Sequence, residues 1–206
     1  MFTGIIQGTG TIVSIKKFSD HKNFTVQMPQ AFSAVKKGAS IAIDGVCLTI
    51  VTCKKKKVTF DFMAETEKKT TLGHIKIHQR VNIERSMTLK DEIGGHLLSG
   101  HVDTQASIDS ITTSYNNYRI QFKIKKSWMK YIFPKGFIAL DGVSLTIVDT
   151  WNSQGYFSVA FIPETLKRTT FGWKREGHMV NVEIDRQTQA IVHTVESFLK
   201  RKIKAK

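Results

Sequence analysis

By type and position, Cys47, His101, Ser144 and Thr146 are side chains capable of chemistry. Two of them occupy the same position in a duplicated peptide. Asp44-Gly45-Val46-Cys47-Leu48-Thr49-Ile50 returns 97 positions later as Asp141-Gly142-Val143-Ser144-Leu145-Thr146-Ile147. A thiolate attacks electrophilic carbon or shuttles a proton; a hydroxyl at the same place cannot mimic it, so the two copies are not interchangeable. The other reading of Cys47 is a small buried core residue, the usual fate of a free thiol. His101 offers an imidazole that titrates near ~6.5 and can polarise a group or move a proton, but it is one of seven histidines, and a lone histidine often serves structure alone. Cys47 and Cys53 share one apolar, β-branched segment that would hold their Cα atoms about 20 Å apart when extended, too far for a disulfide. The sequence shows neither a zinc-ligand spacing nor a phosphate-binding glycine loop, so chemistry without a metal or an organic cofactor is expected.

The elements that must position these groups read as strands. On a period of two, Ile41 and Ile43 enter a tight turn and Leu48 and Ile50 leave it, as do Ile138, Leu140, Leu145 and Ile147 in the second copy. By parity Cys47 and Thr49 share one face, and so do Ser144 and Thr146. Further along, Glu65-Thr66 with Thr70-Thr71 returns as Glu164-Thr165 with Thr169-Thr170, and Val81-Asn82-Ile83-Glu84 as Val180-Asn181-Val182-Glu183, both shifted by 99. The change from 97 to 99 implies a two-residue insertion between them. Lys54 to Lys57 and Trp151-Asn152-Ser153-Gln154-Gly155 supply the corresponding hairpin tips. Thr3-Gly4-Ile5 matches Ser99-Gly100-His101, which places the domains at residues 1–95 and 96–187. The fold expected is mainly β: two tandem, sequence-related, six-stranded antiparallel barrels, since closure removes exposed edges. From Thr188 onward Ile191, Val192, Val195, Phe198 and Leu199 fall on one helical face, giving a C-terminal amphipathic helix over 188–206 whose stripe needs a partner. Asp185 either caps that helix or orients a catalytic group. The four threonines at 70, 71, 169 and 170 suit turn and cap chemistry.

The net charge of +14 raises nucleic acid as a partner. Its distribution argues against a specific one: the Lys54–Lys57 run is a hairpin tip, and Lys200, Arg201, Lys202, Lys204 and Lys206 form a terminal tail. The N-terminus lacks the basic and apolar regions of a signal peptide, and no apolar run approaches ~18 residues. A cytoplasmic protein that does not enter the membrane is expected.

Met1-Phe2-Thr3-Gly4-Ile5, Gly45-Val46-Cys47-Leu48-Thr49, Ser99-Gly100-His101-Val102-Asp103, Asp141-Gly142-Val143-Ser144-Leu145-Thr146 and Ile162-Pro163-Glu164-Thr165-Leu166, in this order across nearly the whole chain, resemble the riboflavin synthase family. The resemblance implies double lumazine-binding barrels and a cofactor-free reaction between two molecules of 6,7-dimethyl-8-ribityllumazine. It also implies a homotrimer held by the C-terminal helices, with each site between barrels of different subunits, and it raises lumazine synthase as an associate. A non-catalytic relative, lumazine protein, would share the barrels but with a degraded catalytic set. The catalytic set implied is Cys47, His101, Ser40, Ser144 and Thr146. Substrate contacts are implied from Leu48 and Thr49, from Asp61-Phe62-Met63-Ala64-Glu65-Thr66, from Leu145, and from Ala160-Phe161-Ile162-Pro163-Glu164-Thr165. Phe2, Gly4, Ile5, Ile6, Gly100, Val102, Lys135 and Asp185 complete them. Phe2 either closes over the ligand or plugs a barrel end. The chain departs from the family at Val46, where some members have a second Cys, at Ala64, where Lys is common, and at Arg186, where Pro is common.

Overall fold

The computed structural model describes residues 1–18, 21–30, 32, 35–114 and 117–204; Lys206 of the basic tail lies outside them. Strands β1 (Gly8–Lys17), β2 (His21–Gln27), β3 (Ser40–Ile43), β4 (Val46–Lys54), β5 (Lys57–Met63) and β6 (Arg80–Arg85) close into an antiparallel barrel in the order β1-β2-β5-β4-β3-β6. Strands β7 (Thr104–Ser114), β8 (Asn117–Lys123), β9 (Phe137–Leu140), β10 (Val143–Trp151), β11 (Tyr156–Phe161) and β12 (Met179–Ile184) close a second in the order β10-β11-β8-β7-β12-β9. Each barrel has bulges at matching places, between Ile12 and Ser14 and Ile50 and Thr52 in one, between Ile108 and Ser110 and Ile147 and Thr150 in the other. Such bulges supply the bend that closure needs. The insertion sits in the hairpin: β4 and β5 are joined by Lys55 and Lys56 alone, whereas four residues, Asn152 to Gly155, join β10 and β11. Lys55 and Lys56 both adopt positive φ, as a two-residue hairpin turn requires.

Side chains fill both interiors. Phe24, Phe60, Ile12, Ile41, Ile43 and Ile50 pack the first, and Phe122, Phe157, Phe171, Ile120, Ile138 and Ile147 the second, all essentially without solvent contact. With both interiors filled by side chains, the outward-facing residues of β4 and β10 are left at the barrel surface. Short helices α1 (Ala64–Lys69) and α2 (Pro163–Arg168) follow β5 and β11, and each is succeeded by a 3-10 turn. Helix α3 spans Arg186–Lys204 and begins two residues ahead of Thr188, because Asp185 accepts the Thr188 N–H (2.8 Å) and Oγ1–H (2.7 Å).

The barrels meet about a pseudo-twofold. The Asn82 amide donates to the Asp141 carbonyl (3.0 Å) and its oxygen accepts the Thr170 N–H (2.8 Å); Asn181 does the same to the Asp44 carbonyl (2.8 Å) and the Thr71 N–H (2.8 Å). Gly45 and Gly142, both near φ +79°, face one another so closely that a Cβ on Gly45 would lie 2.6 Å from the Gly142 nitrogen. The peptides preceding each barrel are exchanged. Buried Glu84 accepts the Thr3 N–H (2.7 Å), the Thr3 hydroxyl (2.9 Å) and the Gly4 N–H (3.1 Å), yet the Gly4 carbonyl accepts the N–H of Ser144, in the other barrel (2.9 Å). Glu183 likewise accepts the Ser99 N–H (2.7 Å), the Ser99 hydroxyl (2.6 Å) and the Gly100 N–H (3.0 Å), while the Gly100 carbonyl accepts the Cys47 N–H (2.8 Å). Ile6 accordingly belongs to the second core, and Val102 packs against the first.

One departure from the symmetry is electrostatic. Asp44 and Asp141 are buried at the seam, each accepting a backbone N–H of 2.7 Å, from Asn82 and Asn181. Lys174 binds Asp141 (2.7 Å), and the residue 99 positions earlier, Ile75, provides no second cation. Burial, then the Asp141 charge, pushes the Asp44 carboxyl well above the usual carboxylate range, with Lys174 and the Asn82 N–H pulling the other way. Its proton is therefore held more tightly in the folded chain than in the unfolded one. The associated stability is complete in acid and is lost as pH rises from the ordinary carboxylate range through the raised value. Asp44→Asn keeps the acceptor for Asn82 and removes the titration. Thermal melts of the variant are expected to show a higher Tm at pH 7–8 and a smaller loss of Tm between pH 5 and 8; an unchanged pH slope contradicts this.

Candidate functional site

The first barrel presents a wall of alternating side chains. On β4, Cys47 and Thr49 point outward, while Val46, Leu48 and Ile50 point into the core. Ser40 of β3 lies opposite Thr49. Beyond the Ile50–Phe60 pair, β5 turns Asp61 and Met63 outward and buries Phe62. Ala64, Glu65 and Thr66 continue into α1, where Glu65 pairs with Lys69 (2.6 Å) and the Thr66 carbonyl accepts the Thr70 hydroxyl (2.7 Å). Above Cys47 runs the Gly100-His101-Val102 peptide. A Cβ on Gly100 would stand 2.5 Å from that of Cys47, so only glycine allows the approach. His101 is exposed. Its loop is held by Arg186, which donates to the His101 carbonyl (2.6 Å) and pairs with Asp103 (3.0 Å). Arg186 thus performs a bonding role closed to proline.

Phe2 is 1% exposed and packs with Ala42, Leu98, Ala139 and Cys47. In this chain its ring backs the site from within the seam.

The second barrel repeats the wall with different chemistry. Ser144 and Thr146 point outward on β10, and Leu145 inward. Phe137, where the first barrel has Ser40, lies opposite Thr146. Beyond the Ile147–Val159 pair, Ala160 and Ile162 face out and Phe161 is buried. Pro163 opens α2, in which Glu164 pairs with Arg168 and the Thr165 carbonyl accepts the Thr169 hydroxyl (2.7 Å). Gly4 and Ile5 take the places of Gly100 and His101. Lys135 is exposed with φ +66°, where the first barrel has Gly38, and its N–H donates to the Ile147 carbonyl (2.8 Å). Holding a lysine there costs roughly 1 kcal/mol relative to glycine.

His96 follows Gly94-Gly95 at the boundary between the repeats, where the sequence suggests no more than a linker role and ranks it below His101. It is 7% exposed, stacks on Phe137 with ring centroids 5.1 Å apart, and places Nδ1 2.7 Å from Ser144 Oγ. Nε2 is buried, with no hydrogen-bond partner among the described residues. Burial lowers the imidazole pKa from its ordinary value, opposed by the charge of Asp185, and so favours the neutral ring. In the tautomer protonated at Nε2, Nδ1 accepts the Ser144 proton and increases the basicity of that oxygen; in the other, Nδ1–H donates to it. Asp185 is therefore both the cap of α3 and part of the field at His96. Gly95 permits the arrangement, since a Cβ there would fall 2.6 Å from Ser144 Cβ. The clue in the sequence was negative: His96 has no partner in the first copy, so comparing repeats could not single it out.

The structure divides the expected residues: Leu48, Phe62, Leu145, Phe161 and Ile6 are buried in the barrel cores, and the others lie largely on two separate outer walls. Cys47, Thr49, Ser40, Asp61, Met63 and the 100–102 peptide stand on one; Ser144, Thr146, Ala160, Ile162, Gly4 and Ile5 on the other, beside Lys135. Each wall has exposed apolar area for a planar ring, from Met63 or from Ile5, Phe137 and Ile162, next to groups that can donate or accept protons.

The lumazine binding domain family matches residues 3–86 and again residues 99–185. The chain is 48% identical to riboflavin synthase of Escherichia coli (strain K12) over 201 residues, covering 97% of this chain and 93% of that protein. It is 44% identical to riboflavin synthase of Buchnera aphidicola subsp. Schizaphis graminum, over 98% of each chain. With riboflavin synthase of Bacillus subtilis (strain 168) the identity is 40%, over 90% of this chain and 85% of that one. The fold is similar to LumP complexed with riboflavin (TM-score 0.83, 27% identity, 90% of this chain and 100% of that chain). It is also similar to LumP complexed with 6,7-dimethyl-8-(1'-D-ribityl) lumazine (TM-score 0.80, with the same identity and coverage).

His96→Phe keeps the stack on Phe137 and removes the bond to Ser144. The expected result is a fall in kcat of about 10²-fold, the ordinary scale of a proton-transfer contribution, with KM little changed. Ser144→Ala should lose as much, and the double variant no more than either. Losses that multiply in the double variant contradict a shared role.

Proposed function

This chain belongs to the riboflavin synthase family, and on that footing we propose that it converts two molecules of 6,7-dimethyl-8-ribityllumazine into riboflavin and 5-amino-6-ribitylaminouracil. A four-carbon unit passes from one lumazine to the other. Two identical molecules become two products with no net oxidation, so no external oxidant or reductant enters the balance. The observation that carries the reading is the pair of matched but chemically unequal walls: Cys47 with Ser40 on one, Ser144 bonded to His96 on the other. Two copies of one substrate need two cradles, and a donor and an acceptor need different neighbours. Loss of a proton from the C7 methyl leaves an anion delocalised into the pteridine, so the substrate supplies its own electron sink. In this reading His101, or Ser144 through His96, takes that proton. Cys47 acts in it as nucleophile or proton shuttle. Holding the two reacting carbons together is worth roughly 7–11 kcal/mol of barrier.

We further propose that the working unit is a cytoplasmic homotrimer. On α3, Val192 packs on its own barrel, whereas Ile191, Val195, Phe198, Leu199 and Ile203 are exposed, each 50% or more. Burying each such side chain is worth about 1.5–3 kcal/mol before ordering costs. Trimer formation by these helices would bring the first barrel of one subunit to the second barrel of another, and lumazine synthase is the associate that such an assembly would serve. Among the described residues no helix is long and apolar enough to cross a membrane. The test is turnover without additives: purified protein with 6,7-dimethyl-8-ribityllumazine should yield both products in equal amounts. Tight binding without riboflavin formation contradicts the enzyme and favours a lumazine-carrying protein. Deleting residues 188–206 should abolish trimer and turnover together, by light scattering and product assay; an active monomer contradicts the shared site.

A further inference from the structure

A second concave site lies on the seam, apart from both walls. It is a cleft of about 550 Å³ between the 3-10 turn and start of β6 in the first barrel and the loop from Thr170 to Met179 in the second. The volume suits a ligand of nucleotide size. Its character is cationic and aromatic. Arg80 lies over the Trp173 ring, 4.3 Å from its centroid, and both are exposed at the mouth with Lys76, His74 and His178. Among the described residues no carboxylate lines the cleft or pairs with Lys76 or Arg80. Lys174 is different: bound to Asp141 (2.7 Å) and to the Met179 carbonyl (3.1 Å), it is already neutralised. Thr170, which also lines the cleft, is only 6% exposed, and its hydroxyl is buried with no hydrogen-bond partner among the described residues. Leaving a buried hydroxyl unsatisfied is costly, whereas the exposed cations at the mouth are solvated.

We propose that this cleft binds a phosphorylated aromatic small molecule, a nucleotide in chemical class. Its ring would lie on Trp173 and Met179 and its phosphates against Arg80 and Lys76, with Thr170 Oγ1 donating to a phosphate oxygen. Arginine suits the task because its planar guanidinium both stacks and pairs with phosphate in bidentate fashion. The reading is independent of the reaction proposed above, since no residue of either wall takes part.

ADP, inorganic pyrophosphate and adenosine serve as probes, titrated calorimetrically against the full chain with and without saturating riboflavin, a product of the proposed reaction that the chain does not consume. ADP is expected to bind at one site per chain, more tightly than pyrophosphate, with adenosine weakest. Arg80→Ala and Lys76→Ala, both exposed positions, should each weaken ADP about tenfold, the scale of one charge-assisted contact. Trp173→Ala should weaken ADP but not pyrophosphate, and Thr170→Val should weaken both. No saturable ADP binding, displacement of ADP by riboflavin, or equal affinity for ADP and pyrophosphate overturns the proposal. So does tighter binding of a single-stranded oligonucleotide than of ADP, which would assign the cleft to nucleic acid.

Discussion

Each barrel grips, through one buried glutamate, the peptide that completes the outer wall of the other. Glu84 holds Thr3 and Gly4, and the Gly4 carbonyl fixes Ser144; Glu183 holds Ser99 and Gly100, and the Gly100 carbonyl fixes Cys47. Burial raises both glutamate pKa values above the usual range, and the donors from Thr3, Gly4, Ser99 and Gly100 oppose it. A buried carboxyl stripped of those donors would be strongly destabilising, so the glutamates and the peptides order each other. Both walls depend on this reciprocity, because neither β4 nor β10 has its outer backbone satisfied by its own barrel alone.

The seam adds the second constraint. Gly45 and Gly142 precede Cys47 and Ser144 by two residues, and it is the approach of these glycines, with the Asn82 and Asn181 bonds, that sets where the two strands begin. A shift at the seam would move both walls. Within this near-symmetric frame the differences that matter are few: Cys47 for Ser144, Ser40 for Phe137, His101 for Ile5, and His96 with no counterpart. Symmetry supplies two places for the same ring, and these substitutions make the places unequal.

Much of this was legible in the residues. Period-two alternation and the duplicated Asp-Gly turns lead to two barrels because strand faces and tight turns are local properties, and the two-residue offset located the longer hairpin between β10 and β11. The stripe on α3 was equally plain, although its start at Arg186 depends on a cap by Asp185 that can only be judged in three dimensions. What stayed hidden was long-range. Reading Thr3-Gly4-Ile5 as the opening of the first repeat cannot reveal that Ile6 completes the core of the second, and no pattern in the sequence marks His96 as the neighbour of Ser144 or Phe2 as the backing of Cys47. Arg186 looked like a departure from the family; its bonds to the His101 loop show what the change supplies.

If the reaction uses the Cys47 wall of one subunit with the Ser144 wall of another, two defective chains should repair each other. The decisive measurement is the riboflavin formed by Cys47→Ala and Ser144→Ala chains, assayed separately and after co-refolding into mixed trimers. Each variant alone should be severely impaired, and the mixture should regain a substantial fraction of wild-type turnover through sites that pair one intact wall from each chain. A mixture no more active than its components, although mass spectrometry shows mixed trimers, would contradict the account.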